Sequence, residues 1–287
     1  MSAVEVFDDR TCLLGEGPLW HPEREQLFWF DIEGKKLLSR FGDQPLEWQF
    51  DECFSTAGWI DRETLLLASE TGLWRFDIVT GTKERLVDLE GDIPANRSND
   101  GRADPHGGFW IGTMGKRAEA AAGAIYRILD GELTRLSQGL SIPNSICFSP
   151  DGRRAYFADT PTGKIMALTL DRKGWPKGEP EIFVDLSREG LKPDGSVVDS
   201  DGAIWNAQWG ASRIARYLPD GTPDRAIELP VVNPSCPAFG GAAFGTLFVT
   251  TAHATREADR QPGEVQDGET LSVATGIRGC AEPRVKI

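Results

Sequence analysis

A turn followed by an apolar or aromatic strand recurs six times along this 287-residue chain, and repetition at that interval restricts the possible folds more than any other feature. The turns begin at His21, Asp61, Asp104, Ser149, Asp199 and Ala242, 40 to 50 residues apart. They precede Leu27-Phe28-Trp29-Phe30, Leu65-Leu66-Leu67, Phe109-Trp110-Ile111, Ala155-Tyr156-Phe157, Ala203-Ile204-Trp205 and Thr246-Leu247-Phe248-Val249. A second landmark follows most of them: a turn residue, then a strand that alternates apolar with polar, as in Gly123-Ala124-Ile125-Tyr126-Arg127-Ile128. Period-two alternation marks a strand with one dry face. No stretch of twelve or more residues keeps a 3.6-residue period, which removes the α/β architectures.

The fold expected from this pattern is all-β, a six-bladed β-propeller with four-stranded antiparallel blades around a central channel. The 32 glycines and 18 prolines punctuate turns and do not gather into a linker, so residues 1–287 read as one domain. Val4-Glu5-Val6-Phe7 has no unit of its own. It is expected to close the ring by joining the last blade beside Leu271 to Ala274, which would remove exposed strand edges. The nine tryptophans read as packing between blades.

A formal charge of −13, with no run of basic residues, repels phosphate backbones and anionic lipid, so nucleic acid and membranes are poor partners. Small neutral molecules and cations remain, and no obligate protein partner is implied. The N-terminus carries no apolar signal region and no run of eighteen apolar residues occurs, from which a cytoplasmic protein is expected. Five scattered cysteines without a CxxC pair read as reduced thiols buried as small apolar residues.

Polar residues repeat in register with the blades. Five positions before the successive turns stand Glu16, Thr56, Asn99, Asn144 and Asp194, just ahead of each blade's first strand. First strands line the channel of a propeller, so Glu16, Asn144 and Asp194 are expected to meet near its axis. Two carboxylates and an amide oxygen make a hard-cation site with room for water or substrate. Three histidines in turns or late loops and no HExxH motif argue against a structural zinc site. Pro193-Asp194-Gly195 alone is only a turn tripeptide, and Pro150-Asp151-Gly152 and Pro219-Asp220-Gly221 are read as turns. Asp194 is set apart by its register. His106 is read as a turn residue.

Gly15-Glu16-Gly17-Pro18-Leu19-Trp20, Asn99-Asp100-Gly101-Arg102-Ala103-Asp104-Pro105, Pro143-Asn144-Ser145, Pro193-Asp194-Gly195 and Glu282-Pro283-Arg284-Val285 together resemble the senescence marker protein (regucalcin)/gluconolactonase/luciferin-regenerating enzyme-like family over nearly the whole chain. The resemblance implies one divalent metal on Glu16, Asn144 and Asp194, calcium or zinc foremost, with manganese, magnesium or ferrous iron also accepted by oxygen ligands. It further implies Asp194 as proton acceptor and donor, and Arg97 and Asn99 as binders of a sugar lactone. Where animal members carry a substrate-contacting glutamate after the Gly-Thr-Met segment, this chain matches Arg117, a reversed charge that bears on which sugar is preferred.

The activity expected is metal-dependent opening of a sugar lactone to the free acid. The metal would bind the carbonyl or water, Asp194 would shuttle the proton, and Arg97 and Asn99 would orient ring hydroxyls. Two alternatives stand beside it: a phosphotriesterase-like hydrolase on the same metal site, and a calcium-binding propeller without turnover.

Overall fold

The structure, a computed structural model, describes residues 4–253 and 267–287. Six four-stranded antiparallel sheets are arranged as a six-bladed β-propeller. The first five blades span 15–49, 54–88, 96–140, 143–185 and 192–228, each a simple meander from inner to outer strand. The apolar segments read from the sequence form the second strand of each blade, as in Gln26–Asp31, Thr64–Ser69 and Phe109–Gly115.

The sixth blade is built from both ends of the chain. Asn233–Gly240, Thr246–Ala252 and Thr270–Ala274 run outward, and Val4–Asp8 adds the outermost strand with Val4 opposite Val273 and Val6 opposite Leu271. The expected closure is therefore the observed one. Phe7 carries the seam into the core, lying edge-on to Phe248 at 4.8 Å and to Trp29 at 6.1 Å, while Trp20 stacks on Phe248 at 5.5 Å.

One apolar cluster fills each of the six gaps between adjacent blades. Phe28, Phe54 and Phe76 pack between blades 1 and 2, Trp110 and Phe148 between blades 3 and 4, and Trp205 and Phe239 between blades 5 and 6. The second strands are dry on both faces because each is sandwiched between neighbouring blades; the outer strands, such as Lys83–Asp88 and Pro223–Glu228, are largely exposed and charged. Every cysteine is free, with Cys12, Cys147 and Cys236 buried as expected but Cys280 exposed. Among the described residues no helix is long and apolar enough to cross a membrane.

The inner strands, Gly15–His21, Phe54–Asp61, Asn96–Ala103, Pro143–Phe148, Lys192–Val198 and Asn233–Gly240, pack one against the next around the axis. Arg102 ties this ring together from its interior. Its Nε donates to the Ile146 carbonyl at 3.3 Å, and Nη2 to those of Ser196 at 3.1 Å and Pro237 at 3.4 Å, so one guanidinium bridges four blades. Its remaining nitrogen pairs with the Glu282 carboxylate on the C-terminal tail. The tail is anchored beyond that point by Trp59 Nε1 to Glu282 O at 2.8 Å, Val285 N to Trp59 O at 2.9 Å and Lys286 N to Gly107 O at 2.8 Å.

Arg102 and Glu282 are both almost fully buried, so removing one partner leaves the other charge stranded in a region of low dielectric. Glu282→Ala is expected to lower the unfolding free energy by about 3–5 kcal/mol in urea titration. A loss below about 1 kcal/mol would mean that water reaches the guanidinium and the axis is not sealed.

Candidate active site and metal centre

In all six inner strands the pairing with the second strand slips. The slips fall between Glu16 and Leu19, Phe54 and Thr56, Ser98 and Gly101, Asn144 and Cys147, Pro193 and Ser196, and Pro234 and Cys236. A bulge of this kind bends the strand and re-aims a side chain that regular pairing would lay flat against the neighbouring sheet. Asn99, Asp100 and Asp194 lie inside such slips, and Glu16 and Asn144 border them. The polar residues are therefore within the first strands, where the sequence suggested a position just ahead of them.

The residue that follows the site side chain is left-handed in two blades: Gly17 after Glu16, at φ 55°, and Ser145 after Asn144, at φ 56°. Glycine adopts that conformation freely, whereas for serine it costs roughly 1–2 kcal/mol.

Glu16, Asn99, Asn144, Asp194 and Arg97 line one cavity of about 300 Å³, together with Thr160 and an apolar wall of Leu14, Met114, Ile142 and Trp209. Hydrogen bonds fix the polar side. Arg97 Nη1 donates to Asn99 Oδ1 at 2.8 Å, and Asn99 Nδ2 donates to Asn144 Oδ1 and to the Pro143 carbonyl, both at 3.0 Å. Asn144 Nδ2 donates to Thr160 Oγ1 at 2.9 Å, and Thr160 Oγ1 to the Pro193 carbonyl at 2.8 Å. This chain of contacts runs from blade 3 through blade 4 to the residue before Asp194. Glu16 is oriented from its own backbone, its Oε2 accepting the Gly17 N–H at 3.0 Å.

Two buried carboxyl groups line this cavity, Glu16 and Asp194, and a third, Asp100, lies close enough to act on both. Burial, with the Asp100 charge adding to it, pushes Glu16 up to about 8. Burial, then the charges of Glu16 and Asp100, holds Asp194 well above the usual carboxylate range. Asp100 rises to about 6 through burial, opposed by Arg102 and by the Ile146 N–H, which it accepts at 2.7 Å. Arg97 supplies the compensating positive field: burial works against its charge, and Glu16 in turn supports it.

Among the described residues no group of three or more His, Cys, Asp or Glu side chains is gathered as a metal site. The candidate trio contains only two such residues, because its third member is an amide. Its chemistry suits a cation nonetheless. Glu16 and Asp194 are desolvated and mutually repelling, neither is in an ion pair among the described residues, and all three side chains offer oxygen.

Other residues weighed in the sequence stand outside the cavity, Asp151, Asp220 and His106 in turns as read there. Arg117 is exposed and outside the cavity lining, its backbone N–H donating to Glu119 at 3.0 Å. Thr56 shares the register but donates its hydroxyl to the Gly101 carbonyl at 2.8 Å. Asp151 and Asp220 accept backbone N–H groups two residues on, as turn residues do. His106 packs in its turn, its Nε2 2.9 Å from the Gly152 carbonyl.

Other residues in or beside the cavity were not singled out from the sequence. Asp100 was hidden beside Asn99, since neighbours on a regular strand point to opposite faces. Thr160 comes from the turn after a second strand, outside the register that identified the others. Trp209 is half-buried at the end of Ile204–Trp209 and looked like one more packing tryptophan; Lys192, directly across from it, and Glu33 stand exposed in the cavity lining.

Comparison with known proteins agrees with this architecture. A putative sugar lactone lactonase of Rhizobium meliloti is 38% identical over 100% of both chains. An L-arabinolactonase of Azospirillum brasilense is 36% identical over 97% of this chain and 94% of its own. The crystal structure of a calcium-binding protein, regucalcin, from Agrobacterium tumefaciens superimposes with a TM-score of 0.96 at 39% identity, covering 100% of this chain and 98% of that one. Residues 14–253 match the family described as the SMP-30/Gluconolactonase/LRE-like region, and the chain belongs to that family.

Proposed function

We propose that this protein is a hydrolase that opens sugar lactones to the corresponding free acids, with a divalent cation held by Glu16, Asn144 and Asp194. The observation that carries the reading is the convergence of three oxygen donors from three blades on a cavity that also holds Arg97 and Asn99. Relatives named sugar lactone lactonase, L-arabinolactonase and pentonolactonase support the reaction class. The regucalcin described as calcium-binding supports a divalent ion.

A divalent ion in such a site polarises a carbonyl or lowers the pKa of water. The residues of the chain do the rest. Asp194, buried at the cavity and without an ion-pair partner among the described residues, accepts the proton of the attacking water as the new C–O bond forms. It returns that proton to the ring oxygen as the original ester bond breaks. Arg97, its Nη1 locked to Asn99, presents its other guanidinium nitrogens as donors to ring hydroxyls, while Asn99 Oδ1 keeps a lone pair to accept from one. Trp209, with Leu14, Met114 and Ile142, offers an apolar face to the C–H side of the ring and keeps bulk water away.

Asp194→Asn is expected to lower lactone turnover by about 10³-fold or more, while circular dichroism and melting stay native, since the change removes a repelling charge. Turnover near the parent value would remove Asp194 from the chemistry. Arg97→Ala and Trp209→Ala are expected to raise KM about tenfold, with smaller effects on kcat. A panel of aldonolactones beside a phosphotriester is the assay to use, and comparable rates on the phosphotriester would favour the other hydrolase class.

The carboxyl groups also set a pH dependence. Each binds its proton more tightly folded than unfolded, so stability present near pH 4–5 is lost as pH rises through the raised folded values toward 8. In chelator, the melting temperature is expected to fall by on the order of 5–10 °C between pH 5 and pH 8, and added calcium or zinc to recover most of it. A flat profile in chelator would show that the carboxylates are already compensated.

A further inference from the structure

We propose that Ser145 is a positioning residue whose hydroxyl sets the separation between Asn144 and Asp194 by holding the Asp194 backbone from the adjacent blade. This rests on the reading of those two residues as oxygen donors to one cation. Ser145 occupies a left-handed conformation that Gly17 adopts in the matching place after Glu16. What serine adds over glycine at such a position is a hydroxyl.

That hydroxyl is fully engaged. Ser145 Oγ donates to the Asp194 carbonyl at 2.5 Å and accepts from Ser196 Oγ at 3.1 Å and Asn206 Nδ2 at 3.2 Å. One donor and two acceptor sites are the complete capacity of a serine side chain. Asn206 Nδ2 lies 3.2 Å from the Asp194 carbonyl and 3.4 Å from that of Gly195, so the bulge that aims Asp194 is gripped from both blades. Ser145 and Asn206 are completely buried and Ser196 nearly so, so solvent does not compete for these bonds.

A second serine repeats the arrangement at the other carboxylate. Ser235 Oγ donates to the Gly15 carbonyl at 2.5 Å, directly before Glu16, and pairs with Thr250 Oγ1 at 2.9 Å. Both serines sit on the inner strand of the blade preceding the carboxylate, so each carboxylate-bearing bulge is latched from the blade behind it. Groups that orient metal ligands without touching the ion characteristically control affinity.

Ser145→Gly separates positioning from folding, because it relieves the backbone conformation while deleting the hydroxyl. The melting temperature is expected to stay within a few degrees of the parent. Calcium affinity, titrated calorimetrically on the full chain, is expected to weaken about tenfold, and kcat on a sugar lactone to fall with KM little changed. Ser235→Ala, at an unstrained position, is expected to weaken calcium binding in the same way. Calcium affinity within twofold of the parent in both variants would overturn the proposal, as would a parent chain that binds no calcium, manganese or zinc. A parent that binds calcium with this serine dependence yet opens no lactone supports the positioning role and refutes the hydrolase reading instead.

Discussion

Closing six twisted sheets into a ring forces their innermost strands together at the axis, and the rest of the molecule answers to that crowding. An antiparallel ladder carried regularly to the centre would point half its side chains at a neighbouring blade and leave no room for polar groups. The slip in each inner strand resolves the conflict, turning one or two residues per blade out of the ladder. Backbone carbonyls in or beside the slips become acceptors for Arg102, Ser145, Asn206 and Ser235. Closure itself depends on Val4–Asp8, a strand separated by nearly the whole chain from the one it pairs with.

Blade architecture repeats beyond the backbone. In blade 3, Asp104 caps its turn and accepts from Arg127 at 2.7 Å; in blade 5, Asp199 accepts from Arg216 and from Trp205 Nε1, both at 2.8 Å. Each arginine lies directly across from a tryptophan on the neighbouring strand, Trp110 or Trp205. These buried aspartates fix the turn between first and second strands, which sets where the inner strand ends at the axis. The site thus inherits its geometry from turns on the opposite face of the blade.

Much of this was legible in the sequence because a propeller converts position within a repeat into position around an axis. Glu16, Asn144 and Asp194 could be grouped without knowing any contact, and the closing strand could be recognised as a segment lacking its own unit. What escaped reading depends on pairing between strands. The slip that brings Asp100 inward beside Asn99 leaves no mark in local alternation, and Trp209 differs from Trp205 only in lying at the open end of its strand. Arg117 was matched by counting along a loop, and loop backbone does not keep register as the inner strands do; it points to solvent.

The pairing of Arg102 with Glu282 has a consequence for traffic. With that ion pair filling the axis and the C-terminal tail strapped across blades 2 and 3, the cavity is a cul-de-sac rather than a tunnel. Whatever enters must depart by the doorway it came through, so an outgoing molecule obstructs the next arrival. For a reaction that turns a neutral ring into an anion, a host bearing a formal charge of −13 helps to clear that doorway, since the departing species is repelled and the incoming one is not.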